Sequence, residues 1–250
     1  MMSKDEMPPS IQRRNPRPPG VLALVPVIAL LLAGCAPAPV TAEGREVKSL
    51  YDTFMLAAIV VFAVVAGLIT WSIVRYRARD DERPPARFAT NVPLEIVWWS
   101  LPTLLVIGLF TISAQVLGAV DARTPASALD VEVQGSQWQW TFTYPNGVRV
   151  SGLPQQAPPD VVLPVGRPIH FELTSPDVIH SFYVPQFLIK RDTVPGIANH
   201  VDLTIDREGV YTGQCAEFCG LLHGDMRFSI RAVSAAEFDA WLSRQPLPGS

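Results

Sequence analysis

The sequence predicts a two-helix transmembrane hairpin followed by an exported all-β domain, a sandwich or small barrel. Three observations carry that expectation. Two uncharged runs, Phe54 to Val74 and Ile96 to Val120, flank a short basic loop. Beyond residue 128 the chain turns into short β-branched and aromatic runs broken by Pro and Gly. Residues 213 to 226, GQCAEFCGLLHGDM, then crowd two thiols, an imidazole and a thioether into one stretch of that β region. Composition agrees: 48% of the 250 residues are apolar, high for a wholly water-exposed protein, and the 24 prolines favour loops and strands over long soluble helices. Residues 1 to 118 carry 11 Lys+Arg and 9 Asp+Glu, net +2, whereas residues 119 to 250 carry 9 and 14, net −5. This balance argues against nucleic acid and admits a basic protein partner.

The chain opens on a basic segment with Arg13, Arg14 and Arg17, continues in an apolar run from Val21 to Ala33, and closes it with Leu32-Ala33-Gly34-Cys35. This resembles a bacterial lipoprotein signal, which implies removal of residues 1–34 and lipidation of Cys35. An ordinary signal peptide with a chance cysteine is the alternative. Residues 35–52 then form an exported N-terminal segment ahead of the hairpin.

The hairpin occupies residues 53–120, with spans at about 53–75 and 95–118. Each uncharged run is long enough to cross a hydrocarbon core of about 30 Å as a helix. Pro102 should bend the second span or sit near its first turns. The connecting loop carries Arg75, Arg77, Arg79, Arg83 and Arg87, and short arginine-rich loops stay cytoplasmic. Both chain ends therefore face away from the cytoplasm. Glu95, at the start of the second span, reads as a helix-start acid complementing the helix dipole, or else as a collector of protons for an intramembrane route.

The β domain covers residues 121–245, with 246–250 as a tail. Strands are expected at Leu129–Val133, Trp138–Tyr144, Val161–Leu163, Ile169–Thr174, His200–Ile205, Gly209–Gly213 and Arg227–Val233. Tyr144-Pro145-Asn146-Gly147 reads as a tight turn. A final helix is expected from Ala235 to Leu242, with Ser234 as N-cap and Glu237 completing a capping box. A region of this size can build a core without staples, so a disulfide between Cys215 and Cys219 is not needed for folding.

Soft sulfur and imidazole donors suit copper or zinc better than calcium or magnesium. Zinc could take Cys215, Cys219 and His223 but leaves Met226 unused. A single blue-copper ion would take one Cys, Met226 and two His, the second from His170, His180 or His200. His180, following Ser175-Pro176-Asp177 at the start of a strand, is preferred. One copper needs one thiolate and the loop offers two, which allows two ions bridged by both.

The stretch GQCAEFCGLLHGDM, the upstream DVIHSFYVPQF and the membrane segment ending LEIVWWSLP closely resemble subunit II of the haem-copper cytochrome c oxidases. The resemblance implies a cupredoxin-like Greek-key barrel after the hairpin, holding a binuclear copper centre, CuA. It implies that Cys215 and Cys219 bridge two copper ions, that His180 and Met226 complete one, and that His223 and the Glu217 carbonyl complete the other. The Glu217 side chain is implied to turn the opposite way, toward a Mg or Mn ion shared with subunit I. Trp138 would receive electrons from a c-type cytochrome, and Trp140 would pack in the sheet. Glu95 matches the family's proton-path glutamate. Lys190, Arg191 and Asp192 fall where relatives place a loop near subunit I. The implied partners are the haem-bearing subunit I, subunit III, the cytochrome donor and membrane lipid, in a bacterial plasma membrane. One departure concerns docking: TFTYPNGVRV, residues 141–150, lacks the acids that follow the aromatic pair in many relatives. The rival readings are a membrane-anchored copper carrier and a quinol-oxidase-type subunit II, and the full ligand set disfavours the latter.

Overall fold

The computed structural model describes residues 37–77, 90–122, 128–153 and 155–246. The leader, Cys35, and Arg79, Arg83 and Arg87 lie outside these residues.

Helix α1 runs from Ala42 to Arg75 and α2 from Val92 to Val120. At 34 and 29 residues they are about 51 and 44 Å long, more than a hydrocarbon core requires. α1 begins eleven residues before the expected span because Thr41 caps it, accepting from the Gly44 N–H at 2.9 Å, and because Lys48 and Asp52 pair one turn apart. Its first turn is also held by the β domain. Val40 N donates to Gln186 O at 3.1 Å, Asp206 N to Val40 O at 2.8 Å, and Thr204 N to the Glu43 carboxylate at 3.1 Å. α2 is capped by Asn91 and continues through Pro102 as one helix. Along both helices large apolar side chains face outward, Phe62 at 73% and Phe110 at 71% exposure. Such surfaces suit lipid, not water.

The β domain is a sandwich of two five-stranded sheets. One sheet has the order β3-β2-β1-β5-β8, built from Arg149–Ser151, Gln139–Thr143, Leu129–Ser136, Pro168–Thr174 and Asn199–Thr204. The other has the order β4-β10-β9-β6-β7, built from Asp160–Pro164, Arg227–Val233, Gly209–Cys215, His180–Val184 and Ile189–Thr193. β1 lies parallel to β5 and β4 parallel to β10, so the chain crosses between sheets as a cupredoxin-like barrel does, not as a meander. All seven expected strands form, and β3, β6 and β7 join them. Lys190, Arg191 and Asp192 are therefore strand residues of β7, not loop residues.

The core lies between the sheets. Trp140 and Phe142 from one meet Phe182 and Phe228 from the other, with Phe182 and Phe228 stacked at 5.0 Å and Trp140 edge-on to Phe228 at 5.5 Å. Gly213 makes room for this cluster, since a Cβ there would stand 2.1 Å from the Phe228 ring. Gly147 takes φ 83° in the expected turn, its N–H on Tyr144 O at 2.8 Å. Tyr144 is buried with its hydroxyl donating to Val162 O at 2.9 Å, and burial raises its pKa. Helix α3, Ala235–Leu242, has the expected bounds and the expected Ser234 cap, while Glu237 Oε1 faces Arg231 at 3.6 Å.

Candidate metal centre

β9 ends on Cys215, and β10 begins just after Met226. The loop between them is closed at its neck, where Cys215 N donates to Met226 O at 3.0 Å. Gly220, at φ 117°, reverses the chain inside the loop, and a 3-10 turn over His223–Asp225 brings it back. β6 pairs with β9 in the register Phe182↔Cys215, which sets His180, the first residue of β6, beside the first thiol.

Six donors converge there. Cys215 Sγ lies 4.0 Å from His180 Nδ1, 3.2 Å from the Glu217 carbonyl oxygen and 3.9 Å from Cys219 Sγ. Cys219 Sγ lies 3.6 Å from His223 Nδ1 and 3.8 Å from Met226 Sδ. His180, both cysteines and Met226 are buried, and His223 is half-buried at the rim. The thiols are free and much farther apart than a bonded pair, about 2.05 Å. No disulfide occupies the loop. His170 and His200 lie elsewhere, so only His180 of the three candidate histidines joins it.

Electrostatics separate the two thiols. Burial pushes Cys215 up, but hydrogen bonds with His180, the backbone of Glu217 and Ser181, and His223 overcome it and bring the pKa down to about 7. Burial and the adjacent Cys215 charge push Cys219 up to about 12. Asp177 accepts from His180 Nε2 at 2.9 Å and from Gln137 N at 2.7 Å. Against the opposing effect of burial, these bonds lower its pKa, and His180 is raised by Cys215 and Asp177. A carboxylate on Nε2 aims Nδ1 at the sulfurs, as metal-binding imidazoles require. The signal was an Asp three residues before the candidate ligand.

The soft donor set fits copper. Two thiols, two imidazole nitrogens aimed inward, a buried thioether and a backbone carbonyl can complete two copper ions, whereas zinc would leave Met226 without purpose.

Trp138 connects the loop to the surface. Its indole N–H donates to the Cys219 carbonyl at 3.1 Å, alongside the Gln137 amide at 2.8 Å, and the ring is half-buried. Gln137 gave no signal in the sequence. Trp140 is fully buried, edge-on to His180 at 6.3 Å. The Glu217 side chain turns away from the sulfurs to Lys190, 3.2 Å away, and Arg191 pairs with Asp121 at the end of α2. Glu95 lies in the first turn of α2, far from this loop in sequence, its carboxylate accepting from Asn91 N at 3.2 Å.

Residues 35–116 match the family described as "Cytochrome C oxidase subunit II, transmembrane domain", and residues 155–233 match "Cytochrome C oxidase subunit II, periplasmic domain". A probable cytochrome c oxidase subunit 2 of Rickettsia bellii is 31% identical over 216 residues, covering 80% of this chain and 79% of the relative. One of Streptomyces avermitilis is 30% identical over 289 residues, covering 94% and 91%. The crystal structure of the periplasmic domain of subunit II of cytochrome oxidase from Bradyrhizobium japonicum is 32% identical, covers 49% of this chain and 96% of that one, and has a TM-score of 0.46. With a membrane hairpin and a sulfur-rich loop in one chain, and relatives matched along most of their length, this protein belongs to the cytochrome c oxidase subunit II family.

Proposed function

We propose that this chain accepts single electrons from a c-type cytochrome on the outer side of the bacterial plasma membrane. It passes them to the haem-bearing subunit I, where oxygen is reduced to water with proton translocation. The observation that carries the reading is the convergence of the Cys215, Cys219, His180, His223 and Met226 donors and the Glu217 carbonyl in one loop and one strand end. Two copper ions held there by those six donors would supply reversible one-electron chemistry.

The residues around the loop keep the ligands still. Asp177 fixes the His180 ring, the Cys215–Met226 backbone bond fixes the neck, and Trp140 packs against His180. Little rearrangement then accompanies a change of charge. Trp138 offers an aromatic ring at the surface with one hydrogen bond to the Cys219 carbonyl, a short route from a docked donor. Phe218 and Leu221, at 80% and 87% exposure, ring the same loop with apolar surface. They suit contact with a haem edge where the neighbouring strand lacks acids. The Glu217 carboxylate is the group for a Mg or Mn ion at the subunit I interface, Glu95 is the proton-path acid, and Cys35 is the lipid anchor. Subunit III completes the assembly.

The test is metal stoichiometry with electron spin resonance on the detergent-solubilised full chain loaded with copper. Two coppers per chain sharing one unpaired electron support the reading. One copper with a single-ion hyperfine pattern sinks it. Cys215→Ser should abolish the shared signal, while Trp138→Phe should keep it and slow reduction by the cytochrome.

A further inference from the structure

The donor loop is met by the turn between β1 and β2. Ser136 and Gln139 pair across the two strands, which leaves Gln137 and Trp138 as a two-residue tip. Trp138 has its part as the aromatic ring of the entry route. Gln137 has none so far, yet it bonds to both sides of the donor set.

Its backbone N–H donates to Asp177 Oδ2 at 2.7 Å, and the other oxygen of that carboxylate accepts from His180 Nε2 at 2.9 Å. Its side-chain amide donates to the Cys219 carbonyl at 2.8 Å, where the Trp138 indole also donates at 3.1 Å. A carbonyl oxygen has two lone pairs, so both are taken and the 219–220 peptide is held from two directions. Gly220 permits the approach. It sits at φ 117°, and a Cβ there would stand 3.3 Å from Gln137 Nε2 and 3.2 Å from Trp138 Nε1. Gln137 is an exposed residue whose amide water could satisfy, yet the amide turns to the loop. One residue thus reaches His180 through a carboxylate and Cys219 through its carbonyl, while the Cys219 thiol faces His223 and Met226.

We infer that Gln137 is a positioning residue for electron transfer, an inference that rests on the loop holding the copper pair. Its amide fixes the Cys219 peptide and with it the direction of the thiol, and its N–H holds the carboxylate that aims His180. The amide N–H also points the positive end of its dipole at the loop, which favours the state that has gained an electron. Gln137 therefore raises the reduction potential of the site as well as narrowing its geometry.

The test uses the detergent-solubilised full chain loaded with copper. Gln137→Met keeps the length of the side chain and the backbone bond to Asp177 but removes the amide donor. It should retain two coppers per chain and one shared unpaired electron, while the hyperfine splittings change and the potential falls. In a redox titration against a small soluble one-electron reductant, which needs no docking surface, the equilibrium constant for reduction should drop about threefold. Gln137→Glu, which turns an acceptor toward the Cys219 oxygen, should lower it further. Gln134→Met, at an exposed position of β1, should leave both the potential and the splittings at their wild-type values. A wild-type potential and spectrum in Gln137→Met, or an equal shift in Gln134→Met, would overturn the inference while leaving the copper pair standing. One copper per wild-type chain would refute the copper pair, and the inference with it.

Discussion

The hairpin and the β domain are both rich in apolar residues and use them in opposite directions. Phe62 and Phe110 turn outward from the helices, while Phe142 and Phe228 are fully buried between the sheets. Helices satisfy their own backbone hydrogen bonds, so their side chains are free to meet lipid. Strands depend on neighbours, and their inward side chains must fit one another closely. The lesson is that placement tolerance differs: a side chain in the hairpin answers to a solvent, and one in the domain answers to specific neighbours.

The largest effect should come from the aromatic core. Phe228→Ala should cost about 3–5 kcal/mol, because no neighbour can fill the space between Trp140, Phe142 and Phe182. Phe62→Ala should leave the domain's thermal unfolding unchanged. Equal losses in the two variants, followed by circular dichroism in detergent, would break the comparison. Next comes Gly213→Ala, which forces a methyl group into the Phe228 ring and should cost about 1–3 kcal/mol. Gly108→Ala, with nothing within 4 Å of the new carbon, should cost the fold nothing.

A third contrast is pH. The β domain carries thiols with shifted pKa values. Cys215, depressed to about 7, contributes stability to the metal-free fold above its unfolded pKa, and that contribution disappears as pH falls through 7. Cys219, raised to about 12, contributes fully below its unfolded value and loses it as pH rises toward 12. Copper loading should therefore release one more thiol proton below pH 7 than at pH 8 to 9, on top of the proton displaced from the His180 imidazole, whose pKa is raised, measured with a pH indicator. An equal release at both would refute the asymmetry. The smallest effect belongs to the link between the regions: Arg45→Ala removes an exposed pair with Asp206 and should cost under about 1 kcal/mol.

Legibility in the sequence divides along the same line. The hairpin was readable because a charge-free run needs no partner to declare itself. Within the domain, β1 alternates buried and exposed and was readable, whereas β6, HSFYV, is buried on both faces and shows no alternation. β7, IKRDT, hid behind charges whose partners, Glu217 and Asp121, are distant in sequence. The same holds for the metal loop. Cys215, Cys219, His223 and Met226 sit close together in the chain and give a local signal. His180 depends on a strand register, and Asp177 and Gln137 act through bonds that only the fold creates.

The short segment before α1 has a consequence for anyone dividing this protein. β8 is the edge of its sheet, and residues 40–43 cover the C-terminal end of that edge with the Val40, Thr41 and Glu43 contacts to residues 204–206. An uncovered edge strand recruits other chains. A soluble fragment beginning near residue 120 would lack this guard and should self-associate, whereas one that restores residues 37–45 through a linker should stay monomeric.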